Sequence, residues 1–125
     1  MTRETISSPK APAAVGPYVH AVKTGDTVYT SGQLGLVPET GELAVGVEAQ
    51  AEQAIQNLQA VLEAADMSLA NVVKTTVFLA DIKDFAAINA IYAKYFIGET
   101  PARSCVQVGA IPKGGLFEIE AIAVK

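Results

Sequence analysis

Hydrophobic and polar positions in the first third of the chain follow the pattern of short β-strands. Segments 19–23 and 27–32 are rich in β-branched and aromatic residues, and the turn signal Thr24-Gly25-Asp26 separates them. This combination predicts a β-hairpin. A second turn signal at 38–41 predicts entry into a short third strand at about 43–45.

Two longer segments have the period of amphipathic helices. Between 47 and 65, apolar residues recur at steps of three and four, and polar residues occupy the opposite face. The segment 72–80 is apolar on both faces, which predicts a central, buried strand. Asp84 is suited to cap a second helix over 85–96. Its apolar stripe consists of Phe85, Ile88, Ile91, Tyr92, Tyr95 and Phe96.

The remaining segments complete an α+β arrangement. Residues 1–17 contain three prolines and are expected to run extended over the surface as an arm. Segments 102–109 and 117–124 have the composition of two final strands. The order of elements predicts a six-stranded mixed sheet with two helices on one face, within a single domain spanning residues 1–125.

Composition bears on what covers the other face of that sheet. Half of the 125 residues are apolar and only 18% are charged, so a small monomer would leave much apolar surface in water. We therefore expect copies of the chain to pack sheet against sheet about a symmetry axis.

Charge and side-chain inventory argue against several classes of function. A net charge of −4 has the wrong sign for binding nucleic-acid phosphates, so no nucleic-acid partner is expected. One cysteine, one histidine and the lack of a Gly-rich phosphate loop predict no disulfide, no metal and no cofactor. No apolar run approaches the roughly 18 residues that span a bilayer, and the start lacks a secretory signal. These features predict a cytoplasmic protein without a membrane partner.

An arginine on the penultimate strand is the first candidate for chemistry. Period-two alternation places Arg103 and Cys105 on one side of the strand and Val106 on the other. If the helices pack on the Val106 side, the Arg103 guanidinium points to the opposite face, where its planar fork suits a substrate carboxylate. The alternative is an ordinary surface arginine. Cys105 has no histidine base near it in sequence, so a small buried apolar residue is the alternative to a nucleophile.

Carboxylates on the last strand form the second candidate group. Glu118 and Glu120 share a face with Ile122 and Val124, so at least one carboxylate is expected in partly desolvated surroundings, where it can orient water. A solvated strand edge is the simpler alternative for both glutamates. His20 is expected to be a half-exposed strand residue. Polar groups suited to a small ligand are also available at Tyr18, Ser31 and Asn89.

A series of short motifs spans nearly the whole chain. They are Ala11-Pro12-Ala13-Ala14-Val15-Gly16-Pro17-Tyr18, Thr30-Ser31-Gly32-Gln33, Val73-Lys74-Thr75-Thr76-Val77-Phe78, Asn89, Pro101-Ala102-Arg103-Ser104-Cys105-Val106, Ile111-Pro112-Lys113 and Phe117-Glu118-Ile119-Glu120-Ala121. Each motif is weak alone, but their order and spacing are specific. In this combination the chain resembles the Rid family of reactive intermediate deaminases, also called the YjgF family.

The resemblance implies a chorismate mutase-like α+β fold and a homotrimer with an active site at each subunit interface. In RidA-type members the arginine matching Arg103 holds the substrate carboxylate, and the main chain at the position of Cys105 contacts the imine end. The glutamate matching Glu118 positions the hydrolytic water. The other pocket-lining positions, some of them from the neighbouring subunit, match Tyr18, Ser31, Gly32 and Asn89.

The resemblance also implies an enzymatic activity. The expected reaction is the hydrolytic deamination of 2-aminoacrylate, its tautomer 2-iminopropanoate, and 2-iminobutanoate to 2-keto acids and ammonia, without a cofactor. The alternative is a trimer that binds small carboxylates without catalysis or acts like a chaperone. RNA cleavage has been ascribed to some relatives, but the net charge of −4 argues against it here.

Overall fold

One mixed sheet carries two helices on one of its faces. A computed structural model describes residues 2–125. Within these residues the strands are β1 (Glu4–Ile6), β2 (Ala21–Thr24), β3 (Thr27–Thr30), β4 (Gln33–Leu34), β5 (Val72–Leu79), β6 (Ala102–Gln107) and β7 (Phe117–Val124). The helices are α1 (Val47–Glu63) and α2 (Phe85–Tyr95), and short 3₁₀ turns lie at Leu69–Asn71, Ile82–Asp84 and Pro112–Gly114.

Strand β7 lies in the middle of the sheet. The strand order is β1-β2-β3-β7-β5-β6, and the short β4 also pairs with β7, beyond the end of β3. All pairs are antiparallel except β5 with β6, which are parallel and are connected through α2. Parallel neighbours require such a crossover connection. The prediction of an α+β fold with a mixed sheet and two helices on one face is confirmed.

The strand count differs from the sequence prediction. The sheet has seven strands within residues 2–125 rather than six. Strand β1 forms inside the predicted arm because Ile6 buries its side chain in the core, which brings Glu4–Ile6 alongside β2. Strand β4 is separate because the chain leaves the sheet at Ser31 and Gly32 and pairs again with β7 at Gln33–Leu34.

The predicted third strand at 43–45 is wrong. Leu43 forms an isolated bridge with Leu36 instead of a ladder. The side-chain amide of Gln50 in α1 donates a hydrogen bond to the carbonyl of Ala44 at 3.0 Å. A helix side chain therefore satisfies a backbone group that a neighbouring strand would otherwise need.

Both helices pack on the sheet face that carries Phe117 and Ile119 of β7 in one hydrophobic core. The apolar stripe predicted for α1 is confirmed, since its members from Ala51 to Leu62 are buried. Full burial of the larger members, Ile55, Leu58, Val61 and Leu62, contributes about 1.5–3 kcal/mol each relative to exposure. Fully buried members of the core include Val28, Ile55, Leu58, Leu62, Leu79, Ile88, Phe117 and Ile119.

The opposite face of the sheet remains partly exposed and combines apolar with charged side chains. It carries Glu118 and Glu120 together with Ile122, which confirms the predicted alternation of β7. Tyr29 and Val106 on the same face are 50% and 44% exposed. Exposed aromatic and aliphatic side chains gathered on one face are typical of an association surface.

The start of α2 differs in detail from the prediction. Asp84 is the N-terminal flanking residue of α2, but its side chain makes no capping hydrogen bond. The chain enters α2 through the 3₁₀ turn Ile82–Asp84, so the backbone of Asp84 is already helical (φ −80°, ψ 0°). The capping role passes to Asp81, whose carboxylate accepts from the N–H of Lys83 at 2.9 Å.

Candidate functional site

The seven residues predicted to form the site fall into two groups on opposite faces of the sheet. One cleft contains Tyr18, Ser31, Gly32 and Glu118. The helix side of the sheet, near its β6 edge, contains Asn89, Arg103 and Cys105. The predicted cation and the predicted carboxylate are therefore on different surfaces of the same chain.

The cleft is open to solvent and has a volume of about 710 Å³. Its walls come from the arm before β2, the turn after β4 and the 3₁₀ turn Pro112–Gly114. The turn after β4 is fixed by hydrogen bonds from the N–H groups of Thr40 and Gly41 to the carbonyl of Val37, at 3.2 and 2.8 Å. Prolines and aliphatic side chains form much of the lining, which leaves few charged groups to contact a ligand.

Glu118 reaches the cleft from the middle of the sheet. It lies on β7 between Leu34 of β4 and Phe78 of β5. Burial raises the pKa of its carboxyl group above the ordinary value of 4.5, and the nearby charge of Glu120 raises it further. A carboxylate with a raised pKa is a stronger base, which suits it to accept a proton from water.

Gly32 lies directly against that carboxylate. A Cβ atom added to Gly32 would lie 2.9 Å from the carboxyl carbon of Glu118 and 3.2 Å from its Cγ. The absence of a side chain at position 32 therefore provides the space that the Glu118 side chain occupies.

Ser31 and Tyr18 connect the cleft to the arm. The hydroxyl of Ser31 donates to the carbonyl of Val19 at 2.6 Å, and its N–H donates to the carbonyl of His20 at 2.9 Å. The hydroxyl oxygen keeps a lone pair that can accept a hydrogen bond from a ligand. Tyr18 is 49% exposed at the cleft, so its ring is accessible from solvent.

Arg103 lies on the helix side of the sheet, because β6 presents it next to the buried Thr75. The helices therefore do not pack on the Val106 side, which was the condition for the predicted position of Arg103 on the opposite face. One guanidinium nitrogen, Nη1, donates to Oδ1 of Asn89 in α2 at 2.8 Å. Within residues 2–125, an ion pair joins Lys94 to Glu52, and no carboxylate lies within 4.0 Å of the Arg103 guanidinium.

Two aromatic rings that the sequence analysis assigned to the apolar stripe of α2 also hold Arg103. Its guanidinium carbon lies 4.8 Å from the ring centre of Tyr92 and 5.4 Å from that of Phe85. The Tyr92 hydroxyl is hydrogen-bonded to the Thr75 hydroxyl at 2.8 Å, and burial raises its pKa. A spacing of four and then three residues places side chains on one face of a helix. This spacing in the sequence identifies Phe85, Asn89 and Tyr92 as a group.

Cys105 follows Arg103 on the same side of β6 and is half-buried. Burial raises the pKa of its thiol, and the charge of Arg103 only partly offsets this effect. The thiol therefore favours its protonated form, which is a poor nucleophile. Strand β6 is also the edge of the sheet, so its main chain has hydrogen-bonding groups that face away from β5.

Among residues 2–125, no group of three or more His, Cys, Asp and Glu side chains is placed to hold a metal ion. Within the same residues, neither helix has the length and apolarity needed to cross a membrane.

Comparison with known proteins gives consistent matches along the chain. Residues 8–125 match the family model described as endoribonuclease L-PSP. The chain is 53% identical to a 2-iminobutanoate/2-iminopropanoate deaminase of Mus musculus over 124 residues, which cover 98% of this chain and 92% of that protein.

Solved structures of similar proteins also match nearly the whole chain. The crystal structure of RidA from the Antarctic bacterium Psychrobacter sp. PAMC 21119 has a TM-score of 0.96 and 53% identity, covering 98% of this chain and 99% of that one. The crystal structure of E. coli TdcF with bound serine has a TM-score of 0.94 and 44% identity, covering 98% of each chain.

Proposed function

Because the chain belongs to the endoribonuclease L-PSP family, to which the Rid and YjgF proteins belong, we propose that it hydrolyses 2-iminopropanoate and 2-iminobutanoate to 2-keto acids and ammonia. A relative that is 53% identical over nearly the full length carries the name of this activity. A structural neighbour holds serine, which has the carboxylate and 2-nitrogen of such substrates. No cofactor takes part in the proposed reaction.

The proposal rests on the contacts of the Arg103 guanidinium. Its contacts are a neutral amide, Asn89, and the faces of two aromatic rings, and within residues 2–125 no carboxylate neutralises its charge. These contacts orient the planar fork and leave its charge for a ligand. A small carboxylate is the natural partner of such a group, through paired N–H···O bonds.

A single chain cannot offer both Arg103 and Glu118 to one small substrate. Their side chains project from opposite faces of the sheet, and their strands are separated by β5. Two strand spacings and three residues along β5 put their Cα atoms roughly 14 Å apart. We therefore propose that the Arg103 face of one subunit closes the Glu118 cleft of its neighbour, within the homotrimer that the resemblance to the Rid family implies.

The proposed chemistry begins with the imino acid held by Arg103 through its carboxylate, with the imine end beside the main chain at Cys105. Water attacks the imine carbon, and Glu118 takes one proton from that water and passes it to the imine nitrogen, which gives a neutral carbinolamine. Glu118 then takes the hydroxyl proton of the carbinolamine and gives it to the amine, the C–N bond breaks, and the products are the keto acid and ammonia. General acid–base catalysis of this kind contributes about 10² to 10⁴ in rate.

The cleft residues have supporting roles in this proposal. The Ser31 hydroxyl oxygen and the Tyr18 ring line the cleft near the substrate, and Gly32 leaves room for the Glu118 carboxylate. Asn89 acts on the substrate indirectly, because it orients the Arg103 guanidinium. Each group fixes geometry, which is the main requirement of a hydrolysis that already proceeds slowly in water.

Nucleic acid is not part of the proposal, although the family description names an endoribonuclease. The net charge is −4, and the side chains lining the cleft include two glutamates and one lysine, Lys113. This balance opposes the binding of a phosphate backbone. The single unpaired cysteine suits a reducing compartment, so we propose a cytoplasmic location.

The test is a coupled reaction. A pyridoxal-phosphate-dependent serine dehydratase releases 2-aminoacrylate, and its decay and the appearance of pyruvate are followed with and without the protein. We expect catalytic amounts of protein to accelerate the decay and the release of ammonia. Unchanged decay at micromolar protein would rule out the proposed activity and favour a trimer that only binds carboxylates.

A further inference from the structure

His20 is buried under the arm, although the sequence analysis expected a half-exposed strand residue. Its side chain is 5% exposed because the arm folds over the start of β2. Its Nδ1 accepts a hydrogen bond from the N–H of Ser8 at 3.0 Å, and its Nε2 donates to the carbonyl of Pro12 at 2.8 Å. One imidazole therefore joins the sheet to two main-chain groups of the arm.

These two contacts fix the role of each ring nitrogen. A main-chain N–H only donates and a carbonyl only accepts, so Nδ1 is the acceptor and Nε2 carries the proton. Both nitrogens are thus engaged by the arm. Because no nitrogen is left for a substrate, His20 is not a general acid or base of the site.

The chain is attached to the sheet again at Val19, just after the arm. The Ser31 hydroxyl donates to the carbonyl of Val19 at 2.6 Å. Between the two attachments, segment 13–18 forms one wall of the cleft and includes Val15, which is 77% exposed, and Tyr18. A segment with so little burial of its own depends on its attachments for a defined position.

A small cavity links His20 to this wall. It has a volume of about 40 Å³ and lies between the imidazole, the arm and the start of β4. Its lining shares Tyr18 and Gly32 with the large cleft. A shift of the arm into or away from this space would therefore change the shape of the cleft beside Glu118.

We infer that His20 is a positioning residue, whose hydrogen bonds to Ser8 and Pro12 hold the arm and thereby set the place of Tyr18 and of the adjoining cleft wall. The identity of the ligand rests on the proposed function, whereas the attachment of the arm does not. The role of His20 is in ligand binding, so it acts on Kd and KM and leaves the chemical step unchanged.

The test compares the wild-type protein with His20→Phe and His20→Gln. Phenylalanine fills the ring's space but leaves the Ser8 N–H and the Pro12 carbonyl unpaired, whereas the glutamine amide offers an NH₂ donor group and a carbonyl acceptor. Hydrogen–deuterium exchange is measured for amides 8–18 against those of β5 and β7, and binding of 2-oxobutanoate is measured by calorimetry. For His20→Phe we expect faster exchange in the arm alone, with Kd and KM raised about tenfold and kcat within about threefold.

His20→Gln should restore both the slow exchange and the wild-type Kd. If His20→Phe does not fold, His20→Asn, which keeps only the acceptor for Ser8, should give intermediate values. Unchanged arm exchange in the phenylalanine variant overturns the inference, as does a loosened arm with unchanged Kd, or a loss confined to kcat. A wild-type protein that binds 2-oxobutanoate but hydrolyses no imine contradicts the proposed function alone. One that binds no 2-oxobutanoate contradicts the proposed function and its ligand, and the exchange of amides 8–18 then decides whether His20 holds the arm.

Discussion

Arg103 and Glu118 project from opposite faces of the sheet, with β5 between their strands. Arg103 is paired with Thr75 on the helix side, and Glu118 with Phe78 on the other side. A substrate only a few atoms long cannot contact both side chains of one chain. If both act on one substrate, each active site takes its cation and its carboxylate from different subunits.

Mixing two inactive variants tests this arrangement. Arg103→Met lacks the cation but keeps an apolar stem over the aromatic rings, and Glu118→Gln lacks the base. Each variant alone should lose imine hydrolysis, by about 10² to 10⁴ in kcat for Glu118→Gln. After the two are refolded together in equal amounts, about a quarter of the interfaces should combine an intact Arg103 with an intact Glu118. The measurement is the rate of pyruvate release.

Two controls make the result clear. The variants mixed without unfolding should stay inactive if subunits exchange slowly, and the double variant refolded with itself should stay inactive in every case. A refolded mixture of the single variants without activity would mean that one chain supplies both groups, contrary to the geometry.

The raised pKa of Glu118 predicts an effect on stability. Its folded-state pKa lies above the ordinary value of 4.5, so the folded protein holds this proton more tightly than the unfolded chain does. The contribution of Glu118 to stability is complete below pH 4.5 and is lost as the pH rises through the raised value. Glu118→Gln removes this loss of stability, because glutamine does not ionise. Its Tm should therefore match the wild type at low pH and exceed it above pH 4.5, with a gain that levels off once the pH passes the raised folded-state pKa, as measured by calorimetry.

Glu63→Gln is a matched control for this series, since Glu63 is exposed at the end of α1. It removes one carboxylate charge at an exposed position, so the effect of burial is measured as the difference between the two variants. A Tm for Glu118→Gln that stays below the wild type across the whole range would contradict the burial of an ionised carboxylate at this position.

The contact between Gly32 and Glu118 gives a steric prediction. Gly32 does not have a left-handed backbone, so alanine fits the main chain, but its Cβ would meet the Glu118 carboxyl group. The flexible carboxylate should move while the fold remains. We expect Gly32→Ala to lower kcat by more than about tenfold, since small displacements of a catalytic group are costly, and to change Tm little.

Gly109→Ala provides the comparison, because a Cβ at Gly109 would meet no atom within 4 Å. It should retain wild-type kcat and Tm. If Gly32→Ala also retained full kcat, the Glu118 carboxylate would not need its observed position for catalysis.

Sequence periodicity predicted the parts of this site that depend on neighbours along the chain. Alternation along β7 gave the common face of Glu118 and Glu120. The helical stripe gave the buried positions Ile88 and Tyr92 of α2, although Phe85 of the same stripe is 40% exposed. Periodicity could not show which face of β6 meets the helices, because the same alternation of residues fits either face. The predicted position of Arg103 therefore depended on which face was chosen. The burial of His20 also escaped prediction, since its partners lie eight and twelve residues away in an arm without a periodic pattern.

The neutral partner of Arg103 leads to a final prediction. Asn89 Oδ1 accepts from the guanidinium at 2.8 Å without neutralising it. Asn89→Asp would place a carboxylate at the same distance and satisfy the charge from within the chain, so a substrate carboxylate would have to compete with it. We expect Kd for 2-oxobutanoate to rise more than about tenfold in Asn89→Asp, and only a few-fold in Asn89→Ala, which loses one hydrogen bond but keeps the free charge. Calorimetric titration measures both. Equal effects of the two variants would mean that the charge of Arg103 does not bind the ligand carboxylate.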